Sequence, residues 1–245
     1  MKIVGVDCAT VDAKVGLALG TLSEGRLVIH DATLCTPERT AASVIADWLS
    51  NREDAALIAI DAPLGWPKPL AESLVRHNAG EAIATPANMM FRRATDLFIQ
   101  RELKKTPLDV GADRIARTAH AALHLLGNLR AMLEMPIPLA WTPADLSAIA
   151  AIEVYPAATL VGHRIRSTGY KRREQVEQRR EIIDGLRQKL TIRDYVPDLS
   201  QSADLVDAVV CVLAGDDFVH RRAMSPENRT LAEREGWIWA SRREA

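Results

Sequence analysis

Lys2-Ile3-Val4-Gly5-Val6-Asp7-Cys8-Ala9-Thr10 is an apolar run that closes on an acid. Lys2 to Ala9 reads as a buried strand with a carboxylate near its tip. Ala56-Leu57-Ile58-Ala59-Ile60-Asp61 repeats the pattern, and Ala62-Pro63-Leu64-Gly65 stops it firmly. Neither run alternates, which suits strands covered on both faces. Two buried strands that each deliver one acid are the frame for everything else.

Working outward, Val15 to Leu22 and Arg26 to Leu34 read as the second and third strands. Ser23-Glu24-Gly25 between them is a tight-turn signal, so they should form a hairpin. Val11 to Lys14 is short enough for another. Thr40 to Asn51 places Val44, Ile45, Trp48 and Leu49 at helical spacing, with Thr36 or Thr40 as cap. A strand, a helix and the Ala56–Asp61 strand imply a right-handed crossover. Ala148 to Val154 returns to strand character and again ends near an acid, Glu153.

Between these last two strands the pattern turns helical, over Pro69 to Asn78, Arg93 to Lys105 and Asp113 to Leu133. Asp109 and Asp113 read as turn and cap residues. Residues 66–150 are therefore expected to be an all-helical insertion packed on a core of residues 1–65 and 151–245. From Arg164 to Arg193 ten Lys or Arg stand against four acids, a local balance of +6. Most of that segment, Arg172 to Leu190, reads as one exposed helix with interleaved charges. Ser202 to His220 is a strongly apolar helix, capped by Ser200 or Ser202. Gly236-Trp237-Ile238-Trp239 reads as a short strand or a packing tail. The sum is an α/β fold with a mixed five-stranded sheet, the first strand central.

The composition is that of an ordinary globular chain. In 245 residues, 48% are hydrophobic and 26% charged, and the formal net charge is −1. That balance excludes a whole-protein electrostatic nucleic-acid binder, so any basic surface is local. Cys8, Cys35 and Cys211 are widely spaced with no C-x-x-C, as reduced cytoplasmic thiols would be. The start shows no signal-peptide pattern. No apolar run reaches the roughly 20 residues of a membrane span.

Asp204 and Asp207 lie three apart on the apolar helix and share a face, which Cys211 continues. With Asp7, Asp61 and Glu153 they make a carboxylate set without histidine. Such a set points to a hard cation, Mg²⁺ or Mn²⁺, rather than zinc. Two ions about 4 Å apart stabilise both the attacking and the leaving oxygen of a phosphodiester displacement. Each acid also has a plainer reading. Asp7 is a strand-end acid, Asp61 a turn former before Ala-Pro, Asp204 a helix-dipole partner, and Glu153 an arginine's partner. His120 and His124 are four apart, but Ala121 stands where a zinc protease needs glutamate. Cys8 reads as a small buried apolar residue.

The element order resembles the ribonuclease H-like fold, and the acids Asp7, Asp61 and Asp204/Asp207 resemble the arrangement in its Holliday-junction resolvases. More closely, six motifs resemble a predicted nuclease family, domain-of-unknown-function family 429. They are Gly5-Val6-Asp7, Ile60-Asp61-Ala62-Pro63-Leu64-Gly65, Phe91-Arg92-Arg93-Ala94-Thr95-Asp96, Ile152-Glu153-Val154-Tyr155-Pro156-Ala157, Gly169-Tyr170-Lys171 and Asp204-Leu205-Val206-Asp207-Ala208. One departure is Thr95, where many relatives are expected to carry cysteine.

The resemblance implies a metal-dependent nuclease acting on nucleic acid. Asp7, Asp61, Asp204 and Asp207 would be catalytic, and Asp7, Asp61, Glu153 and Asp207 would hold Mg²⁺ or Mn²⁺. Arg92, Arg93 and Lys171 would meet the substrate. Two rival readings stay open. Asp7-x-x-Thr10 before a hairpin resembles the first phosphate loop of actin-like ATPases, though Cys8 and Ala9 stand where glycines belong. A non-catalytic module would hold its carboxylates more than about 7 Å apart, beyond shared coordination, or ion-paired to Arg92 or Lys171.

Overall fold

A computed structural model describes residues 1–51, 55–111 and 113–243. The side chain of Asp113, expected as a cap or turn residue, lies outside the described residues. Six strands form one mixed sheet in the order β5-β4-β1-β2-β3-β6. They are β1 (Lys2–Asp7), β2 (Gly16–Ser23), β3 (Arg26–Leu34), β4 (Ala56–Asp61), β5 (Ile149–Glu153) and β6 (Thr191–Ile192). β2 runs antiparallel to β1 and β3, while β4 and β5 run parallel to β1. The sheet thus has six strands where five were expected. The extra one is a two-residue edge strand paired with β3 through Val28 and Ile29. β1 lies inside the sheet, between β2 and β4.

The β2–β3 hairpin turns at Glu24-Gly25, both at positive φ (50° and 72°). That is the two-residue primed turn whose twist suits a hairpin. A 3-10 turn at Asp12–Lys14 interrupts the β1–β2 connection. Helix α1 (Ala41–Trp48) joins β3 to β4 and is capped by Thr40, whose side chain accepts from the Ser43 amide.

Among the described residues four helices separate β4 from β5: α2 (Lys68–Leu74), α3 (Ala87–Phe91), α4 (Ala94–Leu103) and α5 (Asp113–Leu133). After β5 come α6 (Pro156–Gly162), α7 (Val176–Arg187), α8 (Ala203–Val219) and α9 (Arg229–Glu235). The expected Arg172–Leu190 helix is shorter, because residues 171–175 serve as a loop. α3, α6 and α9 give no sequence pattern at five to seven residues each.

Both faces of β1 and β4 are dry. Ile3, Leu57 and Ala59 pack with α8, while Val4, Val6, Ile58 and Ile60 pack with α1 and α5. This explains the unbroken apolar runs of β1 and β4. Each such aliphatic side chain contributes about 1.5–3 kcal/mol on full burial. α8 is buried from Leu205 through Phe218, as an all-round apolar helix must be. Its cap is Ser202, whose hydroxyl accepts from the Asp204 amide.

Two glycines set how close α8 lies. A Cβ on Gly5 would stand 2.0 Å from the Ala208 carbonyl oxygen, and one on Gly16 would stand 2.3 Å from that of Asp204. The helix backbone therefore rests directly on β1 and β2. The tail acts as packing: Trp237 and Trp239 are buried against Phe98 and Phe218, and Ile238 bridges to Glu153. The three cysteines are free. Among the described residues no helix is long and apolar enough to cross a membrane.

Candidate metal centre at the strand ends

Asp7 is the last residue of β1 and Asp61 the last of β4, and they are register partners in a parallel pair. Alternation puts Asp7 on the face of Ile3 and Gly5, and Asp61 on the face of Leu57 and Ala59. That face meets α8. The close seating over Gly5 and Gly16 brings the first turns of α8, with Asp204 and Asp207, to the same strand ends. Three of the expected carboxylates, Asp7, Asp61 and Asp207, are mutually within electrostatic reach, and Asp204 reaches Asp7 and Asp207.

Asp7 is held well above the ordinary aspartate range by burial, then by Asp207 and Asp61, with Lys171 opposing. Asp61 is pushed up to about 8 by burial and then Asp207, again against Lys171, with Glu153 adding to the rise. Burial also raises Asp207, against the pull of Lys171 and Tyr170. Like charges in a partly dry site favour the protonated form, and this is that effect.

Asp207 is fully buried, and both of its oxygens are engaged. Tyr170 Oη donates to Oδ1 at 2.7 Å, and Lys171 Nζ donates to Oδ2. Desolvation pulls Lys171 down, but Asp207 and Asp7 outweigh it and hold the ammonium above its usual range. Among the described residues the carboxylates of Asp7 and Asp61 have no hydrogen bond or ion pair of their own. Burial and Asp61 push the adjacent Cys8 up to about 12, so it stays a thiol.

The loop carrying Tyr170 and Lys171 is fixed from inside by Arg179, which is only 1% exposed. Its guanidinium donates to the carbonyls of Tyr170, Arg172, Arg173 and Ser200 at 2.6–2.9 Å. Sequence reasoning placed Arg179 on a solvated helix. The missed signal is its spacing with Ile182, Ile183 and Leu186, the apolar face of α7.

The remaining expected site residues are elsewhere engaged. Glu153 ends β5 close to Asp61, but its Oε1 accepts from Arg93 Nη2 at 2.7 Å and its Oε2 from Arg93 Nη1 at 2.8 Å. The Leu64 amide donates to the same Oε2. Arg93 is 1% exposed and also pairs with Asp96. It is a buried tie between α4, β5 and the tail, where a substrate-facing cation was expected. Arg92 pairs with Asp109 at the surface. Among the described residues, only Lys171 of the three expected basic residues reaches the Asp7, Asp61 and Asp207 cluster. Thr95, where cysteine was expected, is fully buried and its hydroxyl accepts from the Ile238 amide, a packing role.

A cavity of about 230 Å³ opens beside Asp61, lined by Cys8, Pro63, Pro107, Leu108 and Tyr155. A second, of about 420 Å³, lies across Cys8 and includes Thr10, His120, His124 and Asn128. The two imidazoles stack 6.4 Å apart along α5.

The donor set fits a hard divalent cation, since the charges that act most on Asp7 and Asp61 are the carboxylates of Asp204, Asp207 and Glu153, with Lys171 opposing them. Among the described residues no group of three or more His, Cys, Asp or Glu is arranged to hold a metal ion. Two open carboxylates still suit magnesium, which keeps several waters and takes one or two protein carboxylates.

Fold and site together define a mixed α/β protein with an acid cluster where two parallel strands meet a buried helix. The family model described as "Protein of unknown function (DUF429)" matches residues 5–230. The chain belongs to that family. No curated protein matches it.

Proposed function

We propose that this protein is a Mg²⁺- or Mn²⁺-dependent nuclease on a ribonuclease H-like core, hydrolysing phosphodiester bonds in nucleic acid. The observation that carries the reading is the register pairing of Asp7 with Asp61, both open, beneath Asp207 of α8. In this reading residues 66–150 are the insertion that walls the cleft beside the core. The free thiols fit a reducing, cytoplasmic setting.

Asp7 and Asp61 would hold the ion, and Asp204 would add negative charge from one turn before Asp207. Glu153, occupied by Arg93, would act through its charge on Asp61 rather than as a ligand. A bound ion would supply charge stabilisation at phosphorus and a more acidic water. Lys171 brings a positive charge to the same place, suited to a phosphate oxygen. Overall, water oxygen bonds to phosphorus, the bridging P–O bond breaks, and the proton ends on the departing oxygen.

The test is cleavage of single- and double-stranded DNA and RNA and of branched DNA, with Mg²⁺ or Mn²⁺. Metal-dependent cleavage lost in Asp7→Asn supports the reading. Activity that survives the change removes Asp7 from the mechanism.

One observation favours a second reading. The Lys171–Asp207 ion pair is what a non-catalytic module that kept the fold would show. It predicts no hydrolysis on any of these substrates and no divalent-ion uptake.

A further inference from the structure

We infer that the site takes a single divalent cation, held by Asp7 and Asp61, and that the Lys171 ammonium serves as its second cation, fixed on Asp207. This rests on the nuclease reading above.

The carboxylates divide into two kinds. Among the described residues Asp7 and Asp61 have no hydrogen bond or ion pair of their own. Asp207 is spoken for at both oxygens, by Tyr170 Oη and Lys171 Nζ. Tyr170 is itself buried, and burial with Asp207 beside it keeps the phenol protonated and donating. A second ion would need Asp207 oxygens at about 2.0–2.1 Å and would have to evict the lysine.

Lys171 is not a surface side chain that strayed inward. With 58% of its side chain accessible, Lys171 could keep its ammonium in water, yet the ammonium lies on Asp207. The backbone on both sides is pinned, because Arg179 donates to the carbonyls of Tyr170 and Arg172. A buried guanidinium fixing one short loop aims one ammonium at one carboxylate.

Lys171 is then a positioning cation that sets metal stoichiometry. Counting bound Mn²⁺ per chain, by electron paramagnetic resonance during titration, tests this without reading activity. The wild type is expected to bind one ion. Lys171→Met, which frees Asp207, is expected to bind two, and Lys171→Arg to return to one. Two ions in the wild type overturn the inference and leave the nuclease reading standing. One ion in both wild type and Lys171→Met also overturns it, since the lysine then excludes nothing. No bound ion in any form overturns the metal reading itself.

Discussion

Asp7 and Asp61 sit opposite each other at the ends of neighbouring parallel strands, pointing to the same side of the sheet. Neighbouring strands lie about 4.8 Å apart. Two charges at that range repel by roughly 3–4 kcal/mol at an effective dielectric near 20. The fold therefore maintains a repulsion that either a proton or a cation must relieve.

The proton alternative gives a pH dependence. Asp61 titrates near 8 in the fold and near 3.8 when unfolded. The folded state binds the extra proton, so this contribution is full below about 4 and is lost as pH rises to about 8. Without divalent ions the melting temperature should fall across that window, as scanning fluorimetry would show. Excess Mn²⁺ should reverse the fall, most strongly at the alkaline end. At a hundredfold excess over Kd the gain is about 2.7 kcal/mol, or roughly 5–10 °C.

Asp7→Asn removes one of the repelling charges. The metal-free variant should melt higher than the wild type at pH 7.5, while its response to Mn²⁺ disappears. A variant that is both less stable and still metal-responsive would contradict this assignment.

Gly5→Ala should cost more than about 3 kcal/mol, above the usual range for overpacking, because its Cβ would stand 2.0 Å from the Ala208 backbone carbonyl oxygen. Urea unfolding measures it. The same change lifts α8 from β1, so Mn²⁺ affinity should drop with stability.

Arg179→Leu leaves the carbonyls of Tyr170, Arg172, Arg173 and Ser200 without their donor. The Tyr170 and Ser200 acceptors are buried, and each costs about 1–3 kcal/mol when orphaned. A loss of at least about 3 kcal/mol is expected. Hydrogen exchange should rise at residues 170–175 before it rises in the sheet.

Arg93→Met breaks a buried pair from one side and strands Glu153 and Asp96, a cost of about 3–5 kcal/mol. Replacing Arg92, whose pair with Asp109 is exposed, should change stability by less than about 1 kcal/mol. Comparing the two by urea unfolding separates the neighbouring arginines.

Much of the fold was legible because its signals are local. β1 and β4 announce themselves by unbroken apolar runs, and α8 by an apolar stretch interrupted only at Asp204, Asp207 and its C-terminal end. β6 was not legible, since two residues at a sheet edge carry no periodicity and depend on β3 for existence. At the site, the meeting of Asp7, Asp61 and Asp207 follows from strand ends and helix spacing. Glu153 as an arginine's partner and a carboxylate paired to Lys171 were open readings, but which arginine and which carboxylate does not follow. An arginine's burial and a lysine's aim are set by partners 60 and 36 residues away, which no local window contains.

The most direct measurement is X-ray diffraction from crystals soaked in Mn²⁺, with anomalous scattering to locate the ion. The account predicts one peak between the Asp7 and Asp61 carboxylates, with Lys171 still on Asp207. No peak at these carboxylates at millimolar Mn²⁺ would contradict it.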